Sequence, residues 1–595
     1  MTPTEGLTAS LDVALMANRM QAICREMTNT LQRSGRSSVL SMGRDFSVAI
    51  VSAQGELLVS AESIPVHVLG IELQAQAMLS AHPDIVEGDA YLHNDPYSGN
   101  THHADHAILV PVFHEGVHVF TACAKAHQAD AGNAVPTTYS PRARDIYEEG
   151  ALNFPAVRVQ RGFGDIEDII RICKQRIRVP DQWYGDYLAA LGAARIGERR
   201  LKELIEQHGA QKLAAFARDW FDYSERRMRS AIRSLPARVV QGTTLTDPLP
   251  GAQDGVELRT EIAVDPQQGT VRIDLRDNPD CIPAGINLSM ATSISAAAVG
   301  FFNSISADVP HNSGSFRCLE IQLRENCIVG IPRHPTSCSM ATTHVADRLV
   351  NMTQAALTQL GDGYGLAEGG LSMPPCLAVI SGNDPRAGGA AYVNQLMLGA
   401  TGGPGGPKAD GWVNYVMPVV AGLQYRDSVE VDELKYPIHV LEQRLITDSA
   451  GAGRHRGAPG SRVVFTTKGD SMTVVHSIDG HIRPPGGVLC GQPGSPADAF
   501  ILTEDRERIE LAMIATVELL RGQQMVSVSS GGGGYGHPRQ RDPVSVCHDV
   551  NEGWVSREAA DEIYGVVLVE SGTGWSVELT ATRARRNSSI ESPCG

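Results

Sequence analysis

No apolar run in this sequence approaches the roughly 18 to 20 residues that cross a bilayer; the longest, such as 294–302 and 565–569, stop well short. A membrane span is not expected. The N-terminus, MTPTEGLTASLDVALMANRM, lacks a basic start and a continuous apolar segment, so it does not read as a secretory signal and the expected compartment is the cytoplasm. Basic residues are in deficit as well: 51 Lys and Arg face 67 Asp and Glu, a formal net charge of −16. That balance argues against a nucleic-acid partner, which would require a basic face. The eleven cysteines contain no C-x-x-C pair, and a chain long enough to build its own core needs no staples, so reduced and mostly buried thiols are expected. Familiar catalytic signatures are missing too. There is no G-x-x-x-x-G-K-[ST] phosphate loop, no G-x-S-x-G elbow, and no His-x-x-x-His spacing on a helix, which disfavours nucleotide binding by this chain, serine chemistry and the common zinc peptidases.

What is present is an ordinary globular composition, 42% hydrophobic and 20% charged, in 595 residues. Such a length predicts two to four packed units. Apolar residues from Leu11 to Leu31 recur at helical spacing. Phe46 to Val51 and Leu57 to Val59 predict a hairpin, and Ala107 to Phe113 with Val117 to Ala124, joined by His114-Glu115-Gly116, predict a stronger one. Residues 181–234 carry helical periodicity with many i,i+4 charge partners and predict two or three helices. Short alternating runs follow, then helical stretches at 291–302 and 345–360, then β-like segments punctuated by Gly and Pro from about 412 to 530. The predicted class is α+β and multi-domain: a β-hairpin-rich N-terminal region over 1–180, a helical segment over 181–235, an α+β region over 236–410, a β-rich region over 411–535, and a C-terminal helical segment with a tail over 536–595. The composition after Gly572 suits a flexible end. The glycine stretches at 402–407 and 529–536 fit either a plain linker or a close approach to a ligand or interface.

Histidines 93, 102, 103, 106, 114, 118 and 127 fall within 35 residues, where an even spread of the nineteen would place about one. If the second hairpin turns at about residue 115, His102 or His103 comes opposite His127, with Asp105 within a residue pair of them. Opposed side chains lie roughly 4.5 to 5.5 Å apart at Cβ, a separation that ligands of one metal ion span. His102, Asp105 and His127 then form a two-histidine, one-carboxylate set suited to Zn²⁺, Mn²⁺ or Fe²⁺. His103, His106, His114 and His118 read as structural or solvated, the last two because they lie at the turn end. The alternative for the whole cluster is histidines paired with Asp95, Asp105 and Asp130.

The segment His93-Asn-Asp-Pro-Tyr-Ser-Gly-Asn-Thr-His-His-Ala-Asp105 resembles the N-D-P-Y-x-G-G-T-H-x-x-D segment of the hydantoinase B/5-oxoprolinase family, and Ala126-His-Gln-Ala-Asp-Ala-Gly132 resembles its following H-x-D-x-G segment. Ile64-Pro-Val-His67, Ile146-Tyr-Glu-Glu-Gly, Ala450-Gly-Ala-Gly-Arg-His-Arg-Gly and Gly531-Gly-Gly-Gly-Tyr-Gly-His-Pro have counterparts in the same order, so the likeness spans about residues 10 to 568. The resemblance implies metal ligands at His102, Asp105 and His127, with Asp45 as a fourth, and a division of labour with a separate A-type subunit that uses ATP to phosphorylate a carbonyl or enolate oxygen. This chain would act in a hetero-oligomer on the phosphorylated small molecule, opening a cyclic amide such as hydantoin, 5-oxoproline or a lactam. His67, Asp95 and Asp130 are candidates for general base or for orienting the ligand histidines; for Asp95 the alternative is a turn cap before Pro96. Two segments depart from the family pattern, Ser339-Met-Ala-Thr-Thr-His-Val-Ala-Asp347 and Leu423-Gln-Tyr-Arg-Asp427, and leave open a member of the related acetone and acetophenone carboxylases. A non-catalytic scaffold subunit is the reading from another class.

Overall fold

The computed structural model describes residues 3–61, 64–305, 308–572 and 574–587. It is a mixed structure of several sheets and helices, as the α+β reading expects. The helix predicted from Leu11 runs from Pro3 to Ser34, and the 181–234 stretch folds as two helices, Pro180–His208 and Ala210–Arg233. The stretches at 291–302 and 345–360 are also helical, as Met290–Ser304 and Val345–Ala356, the second running into a 3₁₀ turn.

The N-terminal sheet positions the site. Its strands are β1 (Phe46–Ser52), β2 (Leu57–Ala61), β3 (Ala90–His93), β4 (Asp105–His114), β5 (Val117–His127), β6 (Val157–Arg161) and β7 (Gly164–Asp165), all antiparallel, in the order β2-β1-β5-β4-β3-β6-β7. Because strand side chains alternate in direction, one face carries Phe46, Val48, Ile50, Ile108, Val110, Ala122 and Ala124 against the long helices Pro3–Ser34 and Pro180–His208. The other carries Ala49, Val51, Tyr91, Leu109 and Cys123 against the helix Ile71–Ala81. Both faces are covered, which is why β1 and β5 read as near-continuous apolar runs rather than as clean alternation. Asp105 and His127 share the second face with Leu109 and Cys123, at the end of the sheet away from the hairpin turn.

The turn sits where expected, with Glu115 and Gly116 at positive φ of 49° and 77°. The segment His114-Glu-Gly-Val-His118 is literally an H-E-x-x-H string. A zinc-protease site needs it on one helical face, whereas here it wraps the tip of a hairpin.

Three further sheets follow in the chain: β8 (Arg238–Leu245), β9 (Glu257–Asp265), β10 (Thr270–Asp274) and β11 (Leu319–Gln322); β12 (Val379–Asp384) and β13 (Ala390–Gln395) with β16 (Ser471–Ser477) and β19 (Ile514–Leu520); and β14 (Ile438–Leu445), β15 (Ser461–Thr467), β20 (Gln524–Val528), β17 (Asp498–Leu502) and β18 (Arg508–Glu510).

The glycine stretches are neither linkers nor surface loops. Residues 531–534 run extended through a buried bundle in which successive amides point to different neighbours: Gly531 N–H to the Ser495 carbonyl, Gly532 to Ala458, Gly533 to Glu368 and Gly534 to Gln492. Residues 531 and 534 reach the same neighbouring segment three positions apart, the three-residue repeat of an extended polyproline-type strand. Glycine is required because the chains touch backbone to backbone. A Cβ on Gly532 would lie 2.0 Å from the Gly403 carbonyl oxygen.

Two expectations are corrected. The stretch after Gly572, expected to be a flexible end, contributes a strand at Gly574–Val577 and a helix at Leu579–Asn587, held by Arg585 to Asp561 and by Arg586 to the Tyr564 carbonyl; residues 588–595 lie outside the described part. Among the described residues nine cysteines are free thiols, eight of them buried, but Cys490 is disulfide-bonded.

Candidate metal centre

Asp105 opens β4, His127 closes β5, and the sheet register makes them direct partners. His102 lies in the preceding turn, closed by Asp105 N–H to the His102 carbonyl at 3.2 Å. The sequence reading had His102 or His103 opposite His127. Two shifts make the difference: the turn is centred between Glu115 and Gly116, pairing His114 with Val117, and Val119 is an extra residue on β5 between the Phe113–His118 and Val112–Phe120 pairs, so each moves the pairing by one and Asp105 takes the opposing place.

The turn is built by short polar groups. Buried Asn100 donates from Nδ2 to the carbonyls of Asn94, His102 and Asp105, at 3.0, 2.6 and 2.9 Å, and the Thr101 hydroxyl donates to Asp105 Oδ2. Gly99, with φ of 109°, passes so close to the helix Ile71–Ala81 that a Cβ would sit 2.5 Å from Leu73 Cβ. These contacts give the physical reason for the Asn-Asp-Pro-Tyr-Ser-Gly-Asn-Thr string ahead of His102.

All three side chains are buried. His102 Nδ1 is 2.9 Å from the Ser339 carbonyl, which can only accept, so a neutral His102 carries its proton on Nδ1 and its lone pair on Nε2. That Nε2 faces Asp105 Oδ1 at 3.1 Å, and His127 Nδ1 faces the same oxygen at 3.0 Å. Two ring nitrogens converging on one carboxylate oxygen require protons or a cation between them. Burial alone would lower the His102 pKa, but the Asp105 charge and hydrogen bond outweigh it and raise it; Asp105, against its own burial penalty, is held well below the carboxylate range chiefly by His102 and His67. The ligand atoms of His102, Asp105 and His127 all lie within 4.8 Å of one another, and edges near 3 Å are those spanned by donors bound at about 2.0 to 2.2 Å. The donor set therefore fits a divalent cation.

Other groups close around the triad. His67, on the helix Pro65–Val68, places Nε2 3.2 Å from Asp105 Oδ2 and 3.8 Å from Asp45 Oδ1. Asp45 immediately precedes β1, its carbonyl accepts from His127 N–H at 3.0 Å, and its Oδ2 accepts from Gln424 Nε2 at 3.0 Å. The Tyr139 ring stacks on His127, with centroids 5.5 Å apart and planes 19° from parallel. The Thr138 hydroxyl is 3.2 Å from His127 Nε2 and that of Thr342 is 3.5 Å from His102 Nε2. Lys125, two pairs up β5 from His127 and on the same face, is fully buried; burial pushes its amine down to about 8, with Asp105 and Asp45 pulling the other way. Tyr139 also lines a cleft of about 300 Å³ with Thr137, Arg142, Val475, His476 and Thr516.

A family model described as hydantoinase B/oxoprolinase matches residues 10–538. The chain belongs to that family. Within it, the chain is 30% identical over 592 residues to caprolactamase subunit beta of Pseudomonas jessenii, covering 97% of this chain and 98% of the relative. It is 23% identical to the acetophenone carboxylase delta subunit of Aromatoleum aromaticum, covering 95% and 88%. The crystal structure of the ATP-dependent caprolactamase from P. jessenii superposes with a TM-score of 0.85 at 26% identity, covering 97% of this chain and 99% of that one.

In this hydantoinase B-type chain, the remaining candidates from the sequence take other partners. Asp95 caps the short helix Pro96–Ser98, accepting from Tyr97 N–H and the Ser98 hydroxyl, which is the turn-cap alternative. Asp130 accepts from Gly132 N–H, Arg178 N–H and Arg178 Nη1. His103 and His106 are buried rather than solvated: His103 pairs with Glu149 at 3.1 Å, and His106 accepts from Trp183 Nε1 at 3.4 Å. Tyr139, Thr342, Ser339 and Gln424 were missed because none belongs to a ligand or acid–base spacing. A signal did exist for three of them: Ser339, Thr342 and Gln424 lie in the two segments that depart from the family pattern.

Proposed function

We propose that this chain is the B-type subunit of an ATP-dependent cyclic-amide hydrolase, opening the ring of a hydantoin, 5-oxoproline or lactam after a separate A-type subunit has phosphorylated the amide oxygen. The observation that carries this reading is the convergence of His102, Asp105 and His127, with Asp45 and His67 beside them, in a chain aligned end to end with a caprolactamase subunit. His102, Asp105 and His127, with Asp45 as a fourth ligand, would hold a divalent cation, which when bound would supply a Lewis acid that makes a water more acidic. His67 is the candidate to take the proton of the attacking water: the Asp105 and Asp45 carboxylates hold its ring proton on Nε2, which leaves the lone pair on Nδ1, an atom without a protein partner, as the basic position a general base requires. Attack at the ring carbon gives a tetrahedral carbon whose C–N bond breaks, the amine leaving with a proton and the carbon becoming an acyl phosphate, and a second water then cleaves that acyl phosphate to the carboxylate and free phosphate. The cleft beside Tyr139 is of a size that admits a small ring. Asp95 and Asp130, engaged in their own loops, hold the site together from outside.

The acetophenone carboxylase relative supports a second reading, in which the phosphorylated species is an enolate and the product a carboxylate. Co-expression with an A-type partner separates the two. Given ATP and a panel of hydantoin, 5-oxoproline and caprolactam, the complex is expected to release ring-opened amino acid, and His102→Ala to abolish it while lowering bound metal by elemental analysis. Carboxylate formed from acetophenone or acetone with bicarbonate, without ring opening, would replace the hydrolase reading. Unchanged turnover in His102→Ala would leave this subunit as a scaffold.

A further inference from the structure

Two buried side-chain amides flank the triad with one hydrogen-bonding atom each left without a partner. Gln424 donates from Nε2 to Asp45 Oδ2 at 3.0 Å, an assignment fixed by a carboxylate that only accepts, and this leaves Gln424 Oε1 an acceptor with nothing to accept from. Gln395, at the end of β13, accepts from the Tyr139 hydroxyl at 3.4 Å on Oε1, and its Nε2 is a donor without an acceptor. Both residues are at most 2% exposed. They also belong to one wall. Asp427 N–H donates to the Met397 carbonyl and Met397 N–H to Asp427 Oδ2, each at 2.9 Å, which ties the two segments together, and Tyr425 N–H donates to the Gly43 carbonyl, which seats them over Asp45. An unpaired polar atom in such surroundings is costly to keep.

We infer that Gln424 and Gln395 form an amide-reading edge of the substrate site, Gln424 Oε1 accepting from the ring N–H and Gln395 Nε2 donating to the ring oxygen. This rests on the cyclic-amide reading above and names what that site recognises. In a small ring the amide is cis, so its N–H and its oxygen lie side by side on one edge; in a linear amide they point in opposite directions. One acceptor and one donor on one wall complement the ring and not the chain. The same pair distinguishes an amide from a ketone, which brings no N–H and would leave Gln424 Oε1 buried and unpaired. The role extends into the reaction. In the O-phosphorylated ring the carbon is most electrophilic when the ring nitrogen is protonated, and an acceptor aimed at that N–H favours that form.

The test uses the complex with its ATP-binding partner and two probes, caprolactam and N-methylcaprolactam, together with titration calorimetry of the chain alone against the same pair. Gln424→Met is expected to lower kcat/KM for caprolactam by about 10- to 100-fold and to change the N-methyl ring little, collapsing the discrimination, with metal content unchanged; Gln395→Met lowers both rings alike. Equal losses on both rings for Gln424→Met would show that it acts only by orienting Asp45 and would overturn the inference, as would an unaltered ratio. If the complex opens neither ring, calorimetry decides separately. Caprolactam bound by the wild-type chain, with N-methylcaprolactam and Gln424→Met both binding more weakly, keeps the amide-reading edge while the hydrolase reading falls. No difference between the two rings removes the edge as well.

Discussion

Asp105 is surrounded by polar groups on both oxygens: His102 and His127 face Oδ1, His67 and the Thr101 hydroxyl face Oδ2. A carboxylate in that setting stays ionised through burial, which is what a metal ligand requires. Asp347 shows the opposite balance. It is equally buried, but its oxygens meet only neutral donors, the Ser372 hydroxyl at 2.6 Å and Val419 N–H at 3.0 Å, and burial raises its pKa from the ordinary 3.8 to about 7, the two hydrogen bonds opposing the rise. The folded chain therefore holds a proton on Asp347 that the unfolded chain has lost between about pH 4 and 7. Its contribution to stability is complete below the unfolded pKa and is lost as pH rises through 7. Asp347→Asn keeps both hydrogen bonds, with Nδ2 donating to Ser372 Oγ, and removes the titration. The variant should melt at the wild-type temperature near pH 4 and above it at pH 8, by an amount equivalent to about 2 to 4 kcal/mol; melting curves at the two pH values measure it, and a variant less stable at pH 8 would contradict the assignment.

At the scale of elements, the parts legible from sequence were those set by periodicity and local turn chemistry. The helices at 3–34 and 180–233, the hairpin tip at Glu115-Gly116 and the gathering of His102, Asp105 and His127 all follow from spacing. The exact pairing did not, because neither the centring of the turn between Glu115 and Gly116 nor the bulge residue at Val119 has a sequence mark. The glycine segments were ambiguous for a related reason: composition reports that a Cβ is unwelcome and does not report what occupies its place. The structure supplies the answer and a contrast. Gly532→Ala would drive a methyl into the backbones of residues 402 and 403 with no flexible side chain to yield, so it is expected to cost more than the roughly 1 to 3 kcal/mol of ordinary overpacking and to give little folded protein. Gly192→Ala lies mid-helix in Pro180–His208 with nothing within 4 Å of the new methyl, and should stabilise by about 1 kcal/mol. Yield and melting temperature of the two variants side by side check both signs.

Over the whole molecule, the candidate site is assembled from distant stretches: candidate ligands from the N-terminal sheet, and neighbouring groups from residues near 339–344, 395 and 424. What keeps such stretches in register includes buried ion pairs between segments far apart in sequence. Arg348 pairs with Asp479 through both oxygens at 2.8 and 2.7 Å. Asp549, on the C-terminal helix Pro543–Asn551, receives Arg456 at 2.9 Å from the glycine bundle and Arg541 at 2.8 Å. Removing one partner of a buried pair costs far more than the pair contributes, because the other charge stays behind without compensation. Asp549→Ala leaves Arg456, only 3% exposed, with a single carbonyl partner at Gly457, so a loss of about 3 to 5 kcal/mol is expected, while Arg456→Met with Asp549→Leu should recover most of it. The damage has a predicted address. Asp549 touches the bundle and the C-terminal helices rather than β4 or β5, so hydrogen exchange should accelerate across residues 536–587 and 451–457 in Asp549→Ala and stay slow across β4 and β5, with metal affinity retained. Loss of protection in β4 and β5 together with the C-terminal segment would show instead that the triad and the glycine bundle unfold as one unit.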